Sequence, residues 1–189
     1  METHFAVSIL NEGPNGSVYT DSAGKNFAFR SYRACIINDT IIPIELAINF
    51  AADSVALLPK SDRYLRVFLL PDTMTPDKLY DFEANNGFVS EGLKSFLNTG
   101  LTKATILKTT IKPKENYYVN IGTLFYPSGG LTGAGLFING RGHTIPFVPT
   151  QATKTDAKNK TEQGLIFGIG IDPPHNYSLI PCGQIVFKK

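Results

Sequence analysis

Residues 102–126 alternate in apolar and polar character with period two, and no other segment restricts the chain to β-structure so firmly. On the first arm Leu107, Thr109 and Ile111 share one face, and Lys108, Thr110 and Lys112 share the other, because successive side chains of a strand point to opposite sides. Pro113-Lys114-Glu115-Asn116 turns the chain. The return arm sets Tyr117, Val119, Ile121, Thr123 and Phe125 on one side, with Tyr118, Asn120, Gly122, Leu124 and Tyr126 on the other. The expectation is a β-hairpin with a core face and an outer face. Its outer face, with Ile106, Tyr118, Leu124 and Tyr126 beside Lys108 and Lys112, is too apolar to be left to water.

The same period recurs along the chain. Residues 5–10 read as a short strand, ended by Gly13-Pro14-Asn15-Gly16, a cluster expected to turn the chain twice, with Val18-Tyr19 as a separate piece. Residues 27–37 have apolar side chains on both faces and belong near the middle of a sheet. In 41–50, Ile44, Leu46, Ile48 and Phe50 point inward, and Pro43, which has no N–H to donate, belongs at the strand's start or on an edge. Leu65, Val67 and Leu69 face inward in 63–70. Asn139-Gly140 signals a hairpin to His143-Thr144-Ile145. Two last strands cover 165–171 and 177–187.

One region departs from the strand period. Thr75-Pro76-Asp77 opens a helix with an N-cap, a first-turn proline and a first-turn acid. Val89, Leu93, Phe96 and Leu97 then form an apolar stripe at helical spacing. This predicts a helical insertion at 75–98 covering one edge or end of a sheet. Residues 150–163 read as a polar loop. With no alternating helices a parallel βαβ sheet is excluded, which leaves a two-sheet sandwich or a closed barrel. Because several strands are apolar on both faces near their middles, the expected fold is all-β: a single antiparallel β-sandwich domain over 1–189, jelly-roll-like, with the short helical insertion.

Composition narrows the partners. With 42% hydrophobic and 18% charged residues the chain has material for one core and is not a disordered segment. Its net charge of +2, without a basic arm, predicts no direct contact with nucleic acid. The densest basic stretch, Lys154, Lys158 and Lys160, is diluted by Asp156 and Glu162. No apolar run is long enough for a membrane span. Met1-Glu2-Thr3-His4 leads into no secretory signal, so synthesis in the cytoplasm is expected. Cys35 and Cys182, far apart in sequence, are expected to be buried free thiols.

Catalytic chemistry finds no anchor. His4, His143 and His175 have no second ligand at metal spacing, so no metal or cofactor is expected. Cys182 has no basic neighbour to activate it, and no Gly-x-Ser-x-Gly elbow occurs. Paired carboxylates drawn from Glu45, Asp53, Asp62 and Asp72 would be needed for a glycoside hydrolase. The residues singled out for interaction are Tyr64, Phe68, Tyr118, Leu124 and Tyr126, apolar or aromatic on faces the alternation turns outward.

These features predict a non-enzymatic structural or assembly protein: a self-associating β-sandwich subunit such as the coat protein of a virus-like shell, with a virion as its destination and copies of itself or other subunits as partners. The alternatives are a carbohydrate- or ligand-binding module using Tyr64, Tyr118 and Tyr126, and a hydrolase with paired carboxylates.

Overall fold

A computed structural model describes residues 6–53, 55–56, 63–71, 91–127, 131–139, 153–156, 162–172 and 176–188. Strands β1 (Ala6–Thr20) and β2 (Asn26–Asn38) form a hairpin closed on Asp21. One carboxylate oxygen of Asp21 accepts from the backbone N–H of Ala23 at 3.0 Å and of Lys25 at 2.8 Å, which is how aspartate stabilises a turn.

The cluster at 13–16 does not break the first strand. Pairing steps from Glu12 opposite Arg33 to Asn15 opposite Ser31, so β1 gains one residue over β2 in a bulge. Gly13 sits there at φ 111°, where a Cβ would lie 2.9 Å from the Ser31 carbonyl oxygen. The extra residue reverses the phase of the strand. Val7 and Ile9 face the main core before it, and Tyr19 faces the opposite side after it.

The other elements are β3 (Ile44–Phe50), β4 (Val55–Ala56), β5 (Tyr64–Leu69), helix α1 (Glu91–Thr99) with a 3-10 turn at Gly100–Thr102, β6 (Thr105–Ile111), β7 (Asn116–Tyr126), β8 (Leu131–Ile138), β9 (Thr153–Asp156), β10 (Glu162–Asp172) and β11 (Asn176–Phe187). They build two antiparallel sheets, in the orders β4-β5-β7-β2-β1-β9 and β6-β3-β11-β10-β8. Between the sheets lies the main core, with Ile9, Ile36, Leu65 and Phe125 from one and Ile44, Leu46, Leu136 and Phe167 from the other. The fold is an all-β sandwich. The hairpins β1–β2 and β10–β11 keep consecutive strands side by side in one sheet, and the strand orders do not confirm the narrower jelly-roll topology.

The segment 102–126 is not a hairpin. β6 pairs with β3 in the five-stranded sheet, whereas β7 lies between β5 and β2 in the six-stranded one. The turn between them is an arch that carries the chain across the core. Glu115 N–H donates to the Lys112 carbonyl at 3.2 Å, with Pro113 second and Lys114 third at φ 66°, the pattern of a type II turn. Alternation records which face of each arm is buried. It reads the same whether the arms pair with each other or face each other across a core.

Two further expectations change. Within the stretch read as a polar loop, Thr153–Asp156 pairs with Ala6–Ile9 as an edge strand, and Glu162 and Gln163 already belong to β10. Edge pairing is made by backbone groups and leaves no apolar trace in the sequence. Of the helical insertion, Leu93, Phe96 and Leu97 do lie on the covered stripe of α1. Its expected opening at Thr75, Val89 and the hairpin at Asn139-Gly140 fall wholly or partly outside the described residues.

Candidate functional site

The outer face of the six-stranded sheet carries a second core and borders two grooves. Its middle is closed by α1. Leu93 and Leu97 pack on Tyr19, Phe29, Phe68, Leu70 and Leu124 as a second, smaller core. Gly122 makes room for the Phe68 ring, into which any Cβ at that position would run. Phe68 and Leu124, expected to meet a partner, are therefore covered by the chain's own helix. Alternation showed that this face needs a cover, but not that a segment some 25 residues along supplies it.

Tyr118, 48% exposed, lies at one end of this face. The Arg33 guanidinium stacks 3.9 Å above its ring and approaches Glu12 at 3.9 Å. Tyr118 also lines a groove of about 300 Å³ with Leu69, Leu70, Thr105, Ile106 and Tyr117. Ile106, 62% exposed, belongs to the other sheet. Ile106 and Tyr118 thus line one opening between the sheets and not one face of a hairpin.

The other end carries a row of aromatic side chains across four adjacent strands. Tyr19 pairs with Phe27 in the β1–β2 register, and Tyr126 pairs with Tyr64 in the β7–β5 register. Ring centroids are 6.0 Å apart for Tyr19 and Phe27 and 5.5 Å for Phe27 and Tyr126, with the Lys25 ammonium 3.8 Å above Tyr126. Beside the row opens a groove of about 440 Å³, lined by Tyr19, Asp21, Ser22, Phe27, Tyr64 and Asn98 among others. The Tyr19 hydroxyl donates to the Asn98 side-chain oxygen. Burial, and then the Asp21 carboxylate, push that phenol above its ordinary range. Arg66 also lines the groove and donates to the Leu101 carbonyl. Its pKa is lowered by burial, against the pull of Asp53.

Of the five residues singled out, Tyr64 and Tyr126 come together here, while Tyr118 stands eight residues along β7, about 26 Å away at roughly 3.3 Å per residue. Tyr19 and Phe27 were missed. The turn at Asp21 could have found them, since a hairpin closing there places position 19 opposite 27.

Among the described residues no three His, Cys, Asp or Glu side chains group as metal ligands. Glu45 is paired with Lys188 at 2.9 Å, and Asp53 is exposed. Asp62, Asp72 and the three histidines lie outside the described residues. Cys35 and Cys182 are free, buried thiols in opposite sheets, and burial pushes Cys182 up to about 12. No helix among the described residues is long and apolar enough to cross a membrane. No protein-family model, curated protein or solved structure matches the chain.

Proposed function

We propose that this chain is a non-catalytic, self-associating β-sandwich subunit, a building block of the kind that forms the coat of a virus-like shell. The observation that carries this reading is the opening between the sheets at Ile106 and Tyr118. It adjoins β6, a seven-residue strand at the end of its sheet's order among the described residues, with a single charged residue, Lys108. Natural edge strands are usually short, heavily charged or covered, because unpaired backbone groups invite another chain. Here a long edge rich in β-formers stands beside a groove of mixed apolar and polar surface, an arrangement suited to a strand or loop of a second copy. With a net charge of +2, such a subunit would leave any nucleic acid to another component.

Light scattering with negative-stain microscopy tests the proposal. A concentration-dependent oligomer is expected, reduced toward monomer by Ile106→Glu. A protein that stays monomeric at high concentration overturns it.

A further inference from the structure

We infer that the groove beside the aromatic row binds a neutral pyranose sugar. This goes beyond the assembly reading and holds whether or not the chain self-associates. A pyranose has two chemical sides: a face of C–H groups that packs on aromatic rings, and a rim of hydroxyls that seek planar hydrogen-bonding groups. The groove offers both. Tyr64 is 49% exposed and lines the groove, with the half-buried Phe27 and the buried Tyr19 also in its lining. The remaining described lining carries the polar Asp21, Ser22, Asn98 and Arg66 together with Leu97, Leu101 and Leu124.

Asp21 and Asn98 are each held by hydrogen bonds within the chain. Asp21 Oδ1 is held by the Ala23 and Lys25 N–H groups, which leaves Oδ2 to accept from a hydroxyl. Asn98 Oδ1 takes the Tyr19 hydroxyl, so its amide nitrogen is turned to donate elsewhere. Fixing side chains in advance lowers the ordering cost of binding. At about 440 Å³ the groove falls in the size range of small-ligand sites, roughly 300 to 1,000 Å³.

The described lining carries one anion, Asp21, and one cation, Arg66, whose guanidinium donates to the Leu101 carbonyl, so formal charge there cancels and draws neither an anion nor a cation strongly. Stacking of a single nucleic-acid strand would call for a basic track along the rings, whereas the described residues offer two cations there, Lys25 over Tyr126 and Arg66 in the lining, beside the Asp21 carboxylate. A sugar without charge is the ligand that uses the rings and the hydroxyl acceptors together.

The test uses the full chain with the methyl glycosides of glucose, galactose, mannose and N-acetylglucosamine, read by saturation-transfer NMR and titration, and an oligothymidylate as competitor. At least one glycoside is expected to bind. Tyr64→Ala should weaken it about tenfold, the effect of removing one stacking ring, with an unchanged circular dichroism spectrum. Asp21→Asn, which keeps the acceptor for the turn, should weaken it too. Tyr118→Ala at the far end should not. Silence with all four glycosides overturns the inference, as does binding indifferent to Tyr64→Ala, or a groove that prefers the oligothymidylate.

Discussion

The side-chain amide of Asn11 pairs with the backbone of Leu136 as another strand would: Nδ2 donates to the Leu136 carbonyl at 3.0 Å, and Oδ1 accepts from its N–H at 2.8 Å. Asn11 belongs to β1 and Leu136 to β8, so this pair ties the two sheets together at one margin of the sandwich. Gly135 leaves room for it, since a Cβ there would lie 2.8 Å from the amide carbon of Asn11. Asn11→Leu removes both partners from buried backbone groups. Each unsatisfied group costs about 1–3 kcal/mol, so a loss of about 2–4 kcal/mol is expected in urea unfolding. An unchanged midpoint would mean that the margin is held by other contacts.

Asn38 plays a comparable part at the arch. Its Nδ2 lies 3.0 to 3.1 Å from the carbonyl oxygens of Ile42, Ile111 and Lys112, and its Oδ1 accepts from the Thr40 N–H and hydroxyl. With the side chain fully buried, Asn38→Ala leaves these groups without water to replace it. The expected cost is about 2–4 kcal/mol, accompanied by faster hydrogen exchange at the Thr40 amide. Protection at Thr40 equal to that of the unaltered protein would contradict the assignment.

The parts of this fold written in the sequence are those in which burial repeats with the strand period. Ile44, Leu46, Ile48 and Phe50 announce their face, and all four are in the main core. Strand partners leave no such mark. Residues 102–126 therefore look like a hairpin although their arms lie in opposite sheets. Thr153–Asp156 has no apolar residue and joins a sheet edge by pairing with Ala6–Ile9. At the candidate site, Tyr64 and Tyr126 were legible as outward rings. Tyr19 was not, because one bulge residue reverses the phase of β1 ahead of it.

Cys182 sets an alkaline limit on stability. Its thiol has an ordinary value of 9.0, raised by burial in the fold to about 12. Below pH 9 the thiol is protonated in both states, and its contribution is fully present. Between 9 and 12 the unfolded chain gives up a proton that the native state retains, so stability falls as pH rises. At pH 10.5 this amounts to about 2 kcal/mol. The raised Tyr19 phenol acts in the same direction, so the contrast with Cys182→Ala isolates the thiol. From pH 8 to 10.5 the unaltered protein should lose about 2 kcal/mol more than the variant in urea unfolding. Equal losses would show that the thiol ionises in the folded state.

Helix α1 is expected to open independently of the sandwich beneath it. It has nine residues and docks through Leu93 and Leu97 on a small cluster separate from the main core. Leu93→Ala removes a fully buried side chain, a change that costs about 2–5 kcal/mol in a well-packed site. Because so short a helix is marginal by itself, that energy should appear as local opening. Amides 94–99 should lose hydrogen-exchange protection and a dye for apolar surfaces should bind at Phe68 and Leu124, while the global unfolding midpoint moves little. Phe167→Ala, between the sheets, should instead shift the global midpoint by about 3–5 kcal/mol. Were Leu93→Ala to shift the midpoint as far, the helix and the sandwich would be one cooperative unit, and the Asn98 wall of the aromatic groove would be as rigid as the strands beside it.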